Sequence, residues 1–133
     1  MEIRGRVING GNTEGEAFVL ETSFNFTGDF DPVDGTLTIQ GHPLSGQKIG
    51  GKIWVIPGGK GAVGASIMIY NAKKHDNAPI GIICKKADPL TVECAMTIDI
   101  PLMDSLEKDP VTHIKNGDHV AILGERGFVR LTR

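Results

Sequence analysis

The stretch Gly51–Lys74, GKIWVIPGGKGAVGASIMIYNAKK, decides how this chain is read. Its first six residues, GKIWVI (51–56), form a short continuous apolar run, the pattern of a strand buried on both faces. PGGKGAVGAS (57–66) then brings four glycines, a lysine and small residues. From about Ala62 to Lys74 the pattern becomes helical, and Ile67, Met68, Ile69 and Tyr70 are apolar on more than one side. Such a helix is expected to be buried broadly, against a sheet and against a partner. A strand, a glycine-rich turn and a helix in succession bring backbone N–H groups and the positive helix end to one point, which suits an anion. Equally, the glycines serve close packing of helix on sheet.

Outward from this unit the chain reads as strands, then βαβαβ, then a closing hairpin. Residues 2–8 and 16–21 alternate as strands do, with Gly10, Gly11 and Asn12 as the break. Residues 22–35 hold turn formers and three phenylalanines, a packed loop, and 37–39 are expected as a short strand. Residues 78–84 are the next buried strand. Asp88 and Pro89 open a second helix as N-cap and first residue, ending near Ile98. Residues 98–104 are a third short strand, and Asp109–Pro110 starts a helical turn ending at Asn116–Gly117. DHVAIL (118–123), a GERG turn and FVRLTR (128–133) form a hairpin. The βαβαβ part implies parallel strands with right-handed crossovers, and the flanking hairpins imply a second β layer. The expected fold is a three-layer β/β/α domain.

At 133 residues the chain is expected to form one domain over 1–133. Its apolar fraction of 40% and charged fraction of 23% are ordinary for a soluble protein. With a net charge of −2 and no basic run, nucleic acid is not an expected partner. No apolar segment is long enough to span a bilayer, and MEIRGRVING lacks a signal-peptide core, so a cytoplasmic location is expected. Cys84 and Cys94 are in no CxxC and are expected as reduced, buried thiols. Two cysteines do not hold an iron–sulfur cluster alone.

The glycine stretch is not a P-loop, since GxxxxGK[ST] is absent. Gly59–Lys60–Gly61 and Gly64 fit GxGxxG by letter, but residues 79–86 end in CKK and bring no acidic residue for a ribose. Lys60 is the candidate for direct anion contact, against the alternative of a solvated loop lysine. His42, in GHPL, reads as a turn residue, and Asp29 and Asp31, in GDFDP, likewise. His75, His113 and His119 lie scattered, with no metal-ligand spacing.

The pieces GRVINGGNTEGEAFV, FNFTGDFDPVDG, GHPLSGQKIGGKIWVIPGGKG, NAP–IGII–DPL, IPLMD–LEKDP and NGDHVAI stand in one order and spacing. In that arrangement, over nearly the whole chain, the sequence resembles the small subunit, or swivel domain, of the aconitase X proteins, and within them the archaeal phosphomevalonate dehydratase branch. The resemblance implies a swivelling β/β/α fold and a larger partner subunit, forming a heterodimer. That partner carries an iron–sulfur cluster, expected as 4Fe–4S, and most of the substrate contacts, and this chain itself holds no cofactor. It implies loss of water from mevalonate 5-phosphate, giving trans-anhydromevalonate 5-phosphate for isoprenoid synthesis. It implies that Gly59, Lys60, Gly61 and Ala62 face the anionic substrate. In the family a serine just after the GxG accepts the proton, and here that position is Ala62. Ser66, four residues on and so on the same helical face, is the remaining hydroxyl. Three accounts stand open: Ser66 substitutes, the partner supplies the base, or the chain is a catalytically silent or regulatory binding domain. A dehydratase of another hydroxy acid, and a phospho-carrier using His42, are the further alternatives.

Overall fold

The structure, a computed structural model, describes residues 1–61 and 63–132. The expectations placed on Ala62 and Arg133 lie outside the described residues. In chain order the strands are β1 (Glu2–Arg4), β2 (Arg6–Asn9), β3 (Asn12–Val19), β4 (Phe24–Asn25), β5 (Ile53–Ile56) and β6 (Gly59–Lys60), then β7 (Gly81–Cys84), β8 (Leu102–Asp104), β9 (His119–Leu123) and β10 (Phe128–Thr132). The helices are α1 (Ala65–Lys74), α2 (Pro89–Thr97) and α3 (Pro110–His113).

Eight strands form one sheet in the order β1-β10-β9-β3-β5-β7-β8-β2, and β4 and β6 pair separately. Strands β3, β5, β7 and β8 run parallel, as the βαβαβ reading requires. β9 and β10 make the expected hairpin, which joins β3 antiparallel. The predicted strand over 2–8 is in fact two. β1 pairs with β10 and β2 with β8, at opposite ends of the strand order. Only Gly5 separates them, so the two sheet ends meet there and the sheet folds back over itself. Gly5 donates its N–H to Gly127 O at 3.1 Å. A Cβ at Gly5 would run into the Leu106 side chain and lie 2.9 Å from Asp104 O.

Two cores follow from this closure. Ala17, Val19, Ile53, Val55, Ile83 and Met103 face Val120, Ile122, Val129 and Leu131 between the two halves of the sheet. Phe18, Trp54, Ile56, Ile82, Cys84 and Leu102 face the other way, toward α1, α2 and the loop before β5. The layers are therefore β, β and α. In that loop Phe24 packs tilted and Phe30 edge-on against Trp54, with ring centroids 4.7 and 5.4 Å away, and Trp54 Nε1–H donates to Ile49 O at 2.8 Å. This aromatic cluster orders a segment with almost no regular structure.

Several boundaries differ from the sequence expectation. β3 begins at Asn12, not Glu16, because its first half pairs only with β9 and its outer face is exposed, so polar residues suffice there. Residues 37–39 form no strand; Leu37 makes a single bridge to Phe30. α1 starts at Ala65, after Gly64 at φ 105°, a left-handed N-cap that glycine adopts without strain. α1 buries Ala65, Ile69 and Ala72, while Ile67 and Tyr70 are exposed, so burial within the chain is a single stripe rather than broad. Residues 98–101 close α2 and turn: Asp99 has φ 51° and Pro101 offers no N–H to a ladder, which leaves β8 only Leu102–Asp104. α3 stops at His113, short of Asn116. Asp88 does cap α2, accepting from Thr91 N–H at 3.1 Å, with Pro89 following it.

Candidate functional site

Parallel strands place their useful loops beyond their carboxyl ends. Here that edge carries the glycine loop after β5, Lys85–Asp88 after β7, Asp104 and Ser105 at the end of β8, and Arg6 at the start of antiparallel β2.

The glycine loop is fixed on its inner side. Gly58 O accepts from Phe24 N–H at 2.9 Å and Lys60 O from Phe26 N–H at 3.1 Å. Gly59 donates its N–H to Asp88 Oδ1 at 2.7 Å. The same carboxylate accepts from the Thr91 hydroxyl at 2.6 Å. Burial alone would raise the Asp88 pKa, but bonds from the Thr91 hydroxyl and the Gly59 and Thr91 N–H groups outweigh it and hold the carboxyl below its ordinary range. A Cβ at Gly59 would run into the Thr91 hydroxyl and the Phe26 ring. Gly61, at φ 147°, lies against Asn25, whose Oδ1 accepts from Thr27 N–H at 3.0 Å and from the Thr27 hydroxyl at 2.7 Å.

The outer side of the loop is open. Lys60 and Gly61 are exposed and Val63 is wholly so. The ladder of α1 starts with Met68 N–H on Gly64 O at 3.0 Å, which places the N–H groups of Ala65, Ser66 and Ile67 ahead of it. No side chain caps this end among the described residues. Ser66 is half-buried on that first turn. Of the loop amides, then, that of Gly59 belongs to the scaffold; those of the first helical turn and the exposed Lys60 are the donors left on the open side.

The other sequence candidates fall elsewhere. His42 Nδ1 accepts from Leu44 N–H at 3.0 Å inside its own turn. Asp29 accepts from Asn25 N–H and Asp31 from Val33 N–H, both at 2.8 Å, as turn residues do. His75 Nδ1 lies on Asn71 O, His113 Nδ1 on Asp109 O and His119 on Glu14. Among the described residues no three His, Cys, Asp or Glu side chains converge on a metal position. Cys84 and Cys94 are buried free thiols. Burial, reinforced for Cys84 by Asp88 and Asp104 and for Cys94 by Glu93 and Asp88, pushes both thiols up, Cys94 to about 12. Two cysteines are fewer than the four ligands an iron–sulfur cluster normally takes.

Sequence reading missed Asn25, Thr27 and Thr91. The Asp-x-x-Thr spacing of 88–91 marks Thr91 as a cap partner, but nothing in FNFT marks Asn25 as a neighbour of Gly61, because that contact comes from a parallel pair of two residues.

The fold and the site together define a β/β/α domain with an exposed glycine loop at the carboxyl edge of its parallel strands. The chain belongs to the family described as the aconitase X swivel domain, matched over residues 2–131. It is 37% identical over 133 residues to the phosphomevalonate dehydratase small subunit of Methanosarcina mazei, covering 100% of this chain and 92% of the relative. It is 40% identical over 131 residues to the protein of that name from Methanococcoides burtonii, covering 98% and 96%. Its fold matches the crystal structure of Thermococcus kodakaraensis aconitase X in the holo form with a TM-score of 0.90, at 35% identity and over 100% of this chain and 99% of that one. Among the described residues no helix is long and apolar enough to cross a membrane.

Proposed function

We propose that this chain is the small, swivelling subunit of a hydro-lyase that dehydrates mevalonate 5-phosphate, as the names of its relatives suggest for them. The observation that carries the reading is the near-complete, two-way coverage by phosphomevalonate dehydratase small subunits at 35–40% identity. A small subunit implies a large one. The iron–sulfur cluster belongs on that partner, where it would supply Lewis-acid assistance to departure of the hydroxyl. The pair works in the cytoplasm, and 1–133 acts as one unit.

Dehydration breaks a C–H bond and the C–O bond of the neighbouring carbon. This chain's part is to bring Lys60 and the first turn of α1 over the anionic substrate, to exclude water as the edge closes, and to offer a proton acceptor. With alanine at 62, that acceptor is Ser66 Oγ, whose alkoxide form the surrounding first-turn N–H groups would stabilise. The exposed stripe Val63, Ile67 and Tyr70 runs from the loop along α1 and is the seat of the large subunit.

The test is reconstitution with the large subunit encoded in the same organism. Mevalonate 5-phosphate is expected to lose water only when both chains are present. Ser66→Ala is expected to lower kcat at least a hundredfold. Absence of both complex and turnover overturns the reading, and turnover of a different hydroxy acid alone reassigns the substrate. Ala62 itself favours a second reading, a catalytically silent or regulatory domain. Ala62→Ser raising a negligible rate by orders of magnitude supports that second reading; an unchanged, already substantial rate rejects it.

A further inference from the structure

Arg6 stands at the same strand edge as the glycine loop. It opens β2, directly across the ladder from Asp104 at the end of β8. The Asp104 side chain is fully buried, whereas that of Arg6 is 60% exposed. Arg6 Nε and Nη2 grip the two carboxylate oxygens, each at 2.8 Å. Ala87 N–H adds a third bond to Oδ2 at 2.8 Å. A bidentate pair anchored in this way fixes the plane of the guanidinium, not only its charge. Arginine has five N–H donors, and the grip uses two, so three are left on its outward edge.

The neighbouring acids at this edge each accept at least one hydrogen bond or ion pair from the chain. Asp88 holds Gly59 and Thr91, Asp109 holds Lys85 and Val111, and Glu107 accepts from Arg4 N–H. Lys60 and Lys86 are exposed. The edge therefore sets the donors of Arg6, Lys60 and Lys86 at the surface although the chain as a whole carries a charge of −2. β2 lies three strands from β5, roughly 14 Å along the sheet at ordinary strand spacing. Side chains reaching inward from both ends of that span suit a small acid with an anionic group at each end.

We propose that Arg6 is a second anion-recognition residue, taking one terminal carboxylate or phosphate of a doubly anionic substrate whose other end meets the glycine loop, with Asp104 as its positioning residue. This rests on the proposed function for the substrate's identity and on the Arg6–Asp104 geometry for the site.

The test uses the reconstituted two-subunit complex. Arg6→Lys keeps a charge beside Asp104 but loses the fork. It is expected to raise the KM for mevalonate 5-phosphate at least tenfold, with kcat within threefold and complex affinity unchanged. The double variant Arg6→Leu with Asp104→Leu removes both charges, leaves no orphaned buried carboxylate, and is expected to show the same KM loss. An unchanged KM in either folded variant overturns the proposal, as does weakened subunit association with KM unchanged at saturating partner. Should the wild-type complex prove inactive, that failure belongs to the proposed function. Arg6 is then read from the Nε–H resonance of the wild-type chain titrated with inorganic phosphate. A saturable shift of that resonance supports the site, and no shift overturns it.

Discussion

Gly59 occupies a place where a side chain has no room. The Thr91 hydroxyl and the Phe26 ring fill the volume a Cβ would take, and its N–H is committed to Asp88. Gly59→Ala is therefore expected to lose on the order of 1–3 kcal/mol of stability through overpacking and to displace Lys60 from its position. Gly64 makes the contrast: its φ of 105° needs glycine, yet open space surrounds the missing Cβ. Gly64→Ala is expected to cost only about 1–2 kcal/mol, the left-handed backbone penalty alone. Thermal denaturation of the two variants compares these costs, and an undisturbed Gly59→Ala would contradict the packing described. At this scale the sequence showed that the loop is special but not how its glycines divide the work. Asp88 was legible as a helix cap from Asp-Pro; its second bond, to Gly59, spans 29 residues and leaves no local pattern.

At the scale of elements, α1 is the informative one. Its sheet face is small and apolar, with Ala65, Ile69 and Ala72 buried, and its outer face carries Ile67 at 70% and Tyr70 at 52% exposure. Ile67 and Tyr70, three residues apart, are neighbours on the helix surface, and Val63 in the preceding turn is exposed as well. The sequence places apolar residues on more than one side of this helix, but within the chain only the side of Ala65, Ile69 and Ala72 is buried. Ile67→Asp is expected to leave the melting temperature of this chain within about 2 °C, as surface changes usually do, while weakening association with the large subunit at least tenfold. Titration calorimetry or co-sedimentation checks it; undiminished affinity would move the interface elsewhere. Elements with strong local signals, β5, β7, α2 and the C-terminal hairpin, were readable in advance. β4, β6 and the start of β3 were not, because two-residue pairs and one-sided polar strands carry little periodicity.

For the whole molecule, the class and layer order followed from alternating strands and helices, whereas closure of the sheet at Gly5 did not. Residues 2–8 alternate well enough for one strand, and only long-range pairing sends their halves to opposite ends of the sheet. The Arg6–Asp104 pair sits beside this seam and ties β2 to β8, which makes acid stability a global readout of it. The side-chain bond from Arg6 comes first among the causes that lower the Asp104 pKa; burial opposes it, and Ala87 N–H, the Arg6 charge and Ser105 add to it. A carboxyl whose folded pKa lies below its unfolded value stabilises the fold fully above the unfolded value, about 3.9 for aspartate, and loses that contribution as pH falls through the folded one. Asp88 behaves in the same direction. The melting temperature is therefore expected to hold steady above about pH 5 and to fall steeply below about pH 4. Asp104→Asn, which cannot ionise, is expected to melt on the order of 5 °C lower at neutral pH and to show a shallower acid limb. A variant whose acid limb runs parallel to that of the wild type would mean that the seam is held by the β2–β8 backbone ladder alone, with the ion pair contributing nothing to closure.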